Sequence, residues 1–170
     1  TIQNNYIGTD ITGSFEVLNG GNGIKVEGED NIIGGTGQDE GNVISGNDRS
    51  GIRLSEGSHE VFGNLIGVTA DGKQILGNSR GVEVQNESGE NTIGGSEEGA
   101  GNVISGNSFD NVLISSDGNT VQGNLIGTNE SGKEGFGNNG NGITVKGPNN
   151  TIGGAAGGAG NVISDNGASG

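Results

Sequence analysis

The chain has 170 residues, of which 40 are Gly, and it contains no Cys, Met or Trp. The absence of Cys excludes a disulfide framework and thiol chemistry. Seven Lys and Arg against 21 Asp and Glu give a net charge of −14, which makes nucleic acid and anionic membrane surfaces unfavourable partners. No stretch approaches the roughly 18 apolar residues of a membrane span, so membrane insertion is not expected.

Three short apolar segments recur in a fixed order along the chain. The first complete set begins with Ile24 and Val26, continues to Ile33 and ends at Ile44. Each segment is short, alternating and β-branched, and is bounded by Gly or Asn, whereas no window shows sustained helical periodicity. Three strands in a repeating order predict an all-β fold of stacked, three-sided coils.

The spacing of these segments divides the chain into coils of about 30 residues. Insertions follow the second strand in one kind of coil, at 36–40, 96–100 and 155–159, and the third strand in the other, at 9–22, 69–80 and 128–141. Because the two kinds alternate, the true period is two coils, or about 60 residues. We therefore expect about five to six coils in a single domain, 1–170, uncapped at both ends. The complete coils are 23–50, 51–80, 81–110 and 111–141, and the partial coils are 1–22 and 142–170.

An Asn-x-Ile motif closes every coil, and its following residue alternates between Gly and Ser. Coils stack about 4.8 Å apart, so equivalent residues of successive coils form columns. The Ile residues are predicted to form an inward core column, and the Asn side chains a hydrogen-bonded ladder at a corner. The predicted ladder consists of Asn5, Asn42, Asn64, Asn102, Asn124 and Asn161. The predicted core column consists of Ile7, Ile44, Ile66, Ile104, Ile126 and Ile163.

These repeats resemble a known group of proteins. The strings Asn31-Ile32-Ile33-Gly34-Gly35 and Gly41-Asn42-Val43-Ile44-Ser45-Gly46-Asn47, with their copies at 91–107 and 150–164, look like bacterial right-handed parallel β-helix repeats. The resemblance implies a right-handed, single-stranded parallel β-helix of a large secreted or surface protein. The wider superfold also contains pectate lyases, polygalacturonases and alginate epimerases. Because one fold carries many functions, this kinship leaves the function open.

The residues offer few candidates for catalysis. His59 is the only imidazole, and its alignment with Asn119 predicts a surface turn residue rather than a catalytic base. Tyr6 occupies the variable position of the Asn-x-Ile motif, where it is expected to pack. No carboxylate pair of the kind used in glycoside hydrolysis emerges along the exposed positions of the first strand. These positions are Lys25, Arg53, Glu83, Leu113 and Thr144.

Acidic residues cluster in the loops, at 27–30, 39–40 and 97–98. The third short insertion, 155–159, lacks acids, so the clusters do not recur as a repeated metal site would. Ca²⁺ needs six to eight converging oxygens. No cofactor is therefore expected, although binding of Ca²⁺ stays open, and solvation is the simpler role for these acids.

In the long insertions, Leu18, Leu76 and Phe136 are expected to fold the insertion back against the coil wall. The first and last segments both match the interior of a coil, so the expected partners are flanking coils of a longer chain or another copy stacked end to end. Surface glycans are a further possible partner.

The sequence therefore predicts a non-enzymatic, extracellular or cell-surface protein. It would act as a rigid spacer, an adhesive stalk or a fibre subunit that assembles head to tail. The alternative is a module that binds or processes polysaccharides, acting as a lyase, an epimerase or a hydrolase.

Overall fold

The computed structural model describes residues 1–170 and consists of short parallel strands without any helix. The strands stack coil upon coil into a parallel β-solenoid with about four turns. The predicted all-β, parallel solenoid is confirmed, whereas the expected count of five to six coils was slightly high because it included the partial coils at both ends. No helix is present that is long and apolar enough to cross a membrane.

One side of the solenoid is a six-stranded sheet built from the Asn-x-Ile segments. Its strands are only two residues long, because the first residue points outward, the Ile that follows points inward, and the chain then turns a corner. Its strands, in order across the sheet, are β1 (Tyr6–Ile7), β4 (Val43–Ile44), β7 (Leu65–Ile66), β10 (Val103–Ile104), β13 (Leu125–Ile126) and β16 (Val162–Ile163).

The other two sides are five-stranded parallel sheets. The second sheet contains β14 (Ile143–Val145), β11 (Val112–Ile114), β8 (Arg80–Val84), β5 (Ser50–Leu54) and β2 (Ile24–Val26). The third sheet contains β15 (Thr151–Ile152), β12 (Thr120–Gln122), β9 (Thr92–Gly94), β6 (His59–Phe62) and β3 (Asn31–Gly34).

The interior is a single apolar cluster of 16 buried residues, all of them Ile, Val or Leu. Ile44 pairs in register with Ile66, and Ile66 with Ile104, so identical side chains stack along the axis. Ile44, Ile66, Ile104 and Ile126 are fully buried. Ile7 and Ile163, at the two ends of the same column, are partly buried and pack against the cluster. β-Branched side chains suit this column because their restricted rotamers already fit a pleated surface.

The alternation of Gly and Ser after each Ile explains the two-coil period. The Ser45 hydroxyl donates to the Val68 carbonyl at 2.7 Å and accepts from the Gly67 amide at 3.0 Å. Gly67 has φ +86°, and a Cβ there would lie 2.1 Å from the Ser105 carbonyl oxygen. The coil that carries Gly67 is therefore held between two coils that carry Ser, and its chain leaves the wall after this Gly to form a long insertion.

Those long insertions are β-hairpins that stack on one another. Antiparallel bridges join Thr9 to Glu16, Val68 to Ile75 and Thr128 to Gly135. The Ala70 amide also donates to the Gly13 carbonyl of the preceding hairpin at 2.9 Å. Leu18 does not fold back as expected and is 56% exposed. Val17 occupies the position of Leu76, with its amide bonded to the Gly8 carbonyl, and is 59% exposed as well.

The stacked Ile column gives the first prediction. Replacing Ile104 by Ala leaves a cavity at a fully buried position of the column, so the unfolding free energy should fall by about 2–5 kcal/mol. Glu97→Ala, in an exposed insertion, should change it by no more than about 0.5 kcal/mol. Urea denaturation followed by circular dichroism measures both, and equal midpoints for the two variants would contradict the assigned interior.

Candidate functional site: three asparagine columns

The predicted ladder is present and runs without interruption through the six-stranded side of the solenoid. Each side-chain amide donates to the Oδ1 of the next Asn, at 2.9 Å from Asn5 to Asn42, 2.9 Å from Asn42 to Asn64 and 3.0 Å from Asn64 to Asn102. The series continues at 2.9 Å from Asn102 to Asn124 and at 3.0 Å from Asn124 to Asn161. We call these six residues the first ladder.

Asn64 shows how one buried side chain satisfies all its polar atoms. Its Oδ1 accepts both the backbone and the side-chain amide of Asn42, at 3.0 and 2.9 Å. Its own Nδ2 donates to Asn102 and, at 2.9 Å, to the Ile33 carbonyl. Asp lacks the donors, Gln is longer by one methylene, and Ser has one donor only. Asn is therefore the side chain that can both cap the corner and continue the ladder.

A second ladder occupies another corner and was not predicted. It contains Asn19, Asn47, Asn78, Asn107, Asn111 and Asn166, whose side chains are linked in series by hydrogen bonds of 2.7–3.1 Å. The signal for this ladder in the sequence was the Gly-Asn pair that directly follows both Ser45 and Ser105. Without a matching apolar column beside it, that signal indicated only a turn.

One member of the second ladder comes from an unexpected position. Sequence spacing places Asn138 in this column, but Asn111 takes its place between Asn107 and Asn166, at 2.7 and 3.0 Å. Asn111 aligns with Gly51 and Gly81, where a Cβ would lie 2.9 Å from Asn78 Nδ2 and 3.1 Å from Asn107 Nδ2. A side chain at this position therefore points into the ladder. The displaced Asn138 is left with a buried Oδ1 that has no hydrogen-bond partner.

A third column contains the only histidine. Asn91 donates to Asn119 at 2.7 Å, and Asn119 donates to Asn150 at 2.9 Å. His59 precedes Asn91 in this column, and its Nδ1 accepts the Asn31 amide at 3.3 Å as an Asn Oδ1 would. The prediction that His59 is a surface turn residue was wrong, because it is 2% exposed at the start of β6. Its imidazole acts as a hydrogen-bonding member of the wall.

Tyr6 and the exposed positions of the second sheet take up structural contacts. The Tyr6 ring lies so close to Gly13 that a Cβ there would be 2.7 Å from it, although 48% of the Tyr6 surface remains exposed. Glu83 accepts from Ser50 Oγ at 2.7 Å and from Gln85 Nε2 at 2.8 Å. Arg53 in turn donates to Gln85 Oε1 at 3.1 Å. These polar groups link neighbouring coils.

The hairpin acids are held by the turns themselves. A hydrogen bond from the Thr12 hydroxyl, together with hydrogen bonds from the backbone amides of Phe15 and Ser14, lowers the pKa of Asp10 below its usual value. The Thr69 hydroxyl lowers the pKa of Asp71 in the next hairpin. Asp10 and Thr69 occupy equivalent positions, as do Thr12 and Asp71, so the acid and the hydroxyl are exchanged between the two hairpins. No group of three or more His, Cys, Asp or Glu converges as metal ligands would.

The first ladder gives the second prediction. Asn102→Ala removes the acceptor of two buried donors on Asn64, and each unpaired buried group costs roughly 1–3 kcal/mol. The unfolding free energy should therefore fall by about 3 kcal/mol. Asn86→Ala, at an exposed loop position, is the matched control and should change it by less than about 0.5 kcal/mol. Chemical denaturation checks both variants, and a control as unstable as Asn102→Ala would refute the role of the ladder.

Comparison of the chain with family models, with curated proteins and with solved structures finds no match. The geometry of the solenoid and its columns is therefore the basis for a functional assignment.

Proposed function

We propose that this chain is a non-enzymatic structural β-helix that acts as a rigid spacer in an extracellular or cell-surface protein. The observation that carries the proposal is the first ladder, which bonds every coil to the next along the axis. The second ladder does the same at another corner, and the third column bonds Asn91 to Asn119 and Asn119 to Asn150. The length of such a stack is proportional to the number of coils, so the number of residues in a solenoid determines its length.

The interior supports the same role. The residues at the centre are aliphatic and in register, and 11 of the 20 buried polar residues belong to the three columns. One apolar cluster runs through the stack without a break, which favours a stack that resists bending. The proposal includes an adhesive stalk and a fibre subunit stacked head to tail. In both, the stack keeps the parts attached to its two ends at a fixed separation and orientation. The resemblance of the repeats to bacterial right-handed β-helix proteins supports a surface location.

The third prediction tests the proposal by lengthening the stack. Spin labels can be attached at Lys25→Cys and Thr144→Cys alone, because the parent chain has no Cys. The two backbone positions are four coils apart, or about 19 Å. Inserting a second copy of residues 51–110 after residue 110 adds one two-coil period. A rigid spacer should then lengthen by about 9.6 Å.

Double electron–electron resonance measures both distances. The proposal predicts one narrow distribution for each protein, with the second shifted by the length of two coils. The parent protein in strong denaturant provides the control for a broad distribution. An unchanged mean distance, or a broad distribution in native buffer, would contradict the spacer function.

A further inference from the structure

An axial groove follows the outer surface of the six-stranded sheet. We define it by its floor, which consists of the outward-facing residues Tyr6, Val43, Leu65, Val103 and Leu125. One part of the groove encloses about 640 Å³ and the next about 500 Å³. Both parts share Leu65, Glu98 and Glu130, so they form one continuous channel along the axis.

The two kinds of insertion form the walls of this groove. Loops 35–41 and 95–101 stand on one side, and the hairpins contribute Ala70 and Glu130 on the other. Each wall is itself stacked with the two-coil period. On the loop side, a Cβ on Gly99 would lie 2.2 Å from the Thr36 carbonyl oxygen, so these loops are in direct contact. The groove is thus a continuous feature of the fold with regularly repeated walls.

The charge of the groove has one sign. Asp39, Glu97, Glu98 and Glu130 line it, and no Lys, Arg or His does. The protein contains a single ion pair, between Lys25 and Glu27 on the second sheet, so the carboxylates of the groove have no basic partner. Carboxylates along a groove with an apolar floor attract and concentrate positive charge, and they repel an anionic polysaccharide.

The accessible apolar residues recur every second coil. Leu65 and Leu125 are half-buried and Tyr6 is exposed, whereas Val43 and Val103 are only 8% and 5% exposed. Tyr6, Leu65 and Leu125 are separated by two coils each, which corresponds to steps of about 9.6 Å. An extended peptide in the polyproline II conformation covers about 9.3 Å in three residues and makes one turn in doing so, which places every third side chain on the same face.

We propose that the axial groove binds an extended, Lys- or Arg-rich peptide segment of a partner protein, running along the solenoid axis with an apolar side chain at every third position. The apolar side chains contact Tyr6, Leu65 and Leu125, and the basic side chains between them face the carboxylates of the walls. The floor has a single aromatic side chain, which favours a peptide over a sugar chain that would stack on aromatic rings. This site is additional to the spacer function and does not depend on it.

The test uses the full chain and a fluorescein-labelled peptide of four Leu-Lys-Lys repeats. Fluorescence anisotropy should show saturable binding that weakens when salt is raised from 50 to 500 mM. The double variant Glu98→Gln and Glu130→Gln should weaken binding by about three- to tenfold, because exposed charge pairs contribute modestly. Leu65→Ser should also weaken it, and thermal melting monitors the fold of each variant.

The matched control is the double variant Glu56→Gln and Glu87→Gln, which removes the same charge from exposed positions outside the groove. It should bind the peptide as the parent protein does. A peptide of four Leu-Glu-Glu repeats should not bind. Equal weakening by both double variants would show attraction by net charge alone and would overturn the proposal. Binding of glucosamine oligomers in the absence of peptide binding would overturn it in favour of a glycan.

Discussion

The structure depends on one constraint, which is that the polar groups buried at the corners of the solenoid need hydrogen-bond partners inside a wall that excludes water. Asn meets this constraint because its Oδ1 accepts two amides of the preceding coil while its Nδ2 donates to the following coil, as Asn64 does. An unpaired buried amide costs roughly 1–3 kcal/mol. The ladders therefore fix the register of the stack, whereas the apolar interior supplies its non-directional stabilisation. The 27% apolar content, low for a globular protein, is sufficient because each coil is covered by its neighbours.

The two-coil period connects this constraint to the surface. A Ser after the Ile ties its coil to the next through Val68, and a Gly after the Ile leaves the wall at a positive φ to begin a hairpin. Hairpins and loops then stack at the same period and enclose the axial groove. The repeat that stacks the coils thus also produces a surface with a regular spacing of apolar and acidic side chains. The proposed spacer function depends on the interior of the stack, and the proposed peptide site depends on its exterior.

Much of the fold could be predicted because the residues that form each column recur in the sequence at a fixed spacing. The first ladder was found because each Asn precedes a buried Ile, whereas the second ladder lacks such a companion. His59 was assigned to the surface because its alignment partner, Asn119, was interpreted as a turn residue, although both side chains are buried hydrogen-bonding members of a wall. The exchange of Asn138 for Asn111 depends on the direction of a single Cβ, which repeat spacing does not specify. The groove escaped prediction because its two walls come from insertions that are distant in sequence.

The central claim is that the first ladder holds the coils together as one cooperative stack. Native-state hydrogen exchange tests it most directly through the backbone amides of Asn42, Asn64, Asn102 and Asn124, each of which donates to the Oδ1 of the next Asn at 3.0 Å. The account predicts that these four amides exchange together, with the protection of global unfolding, and that urea lowers their protection with one slope. Exchange of each amide by its own local opening, at separate free energies far below that of global unfolding, would contradict it.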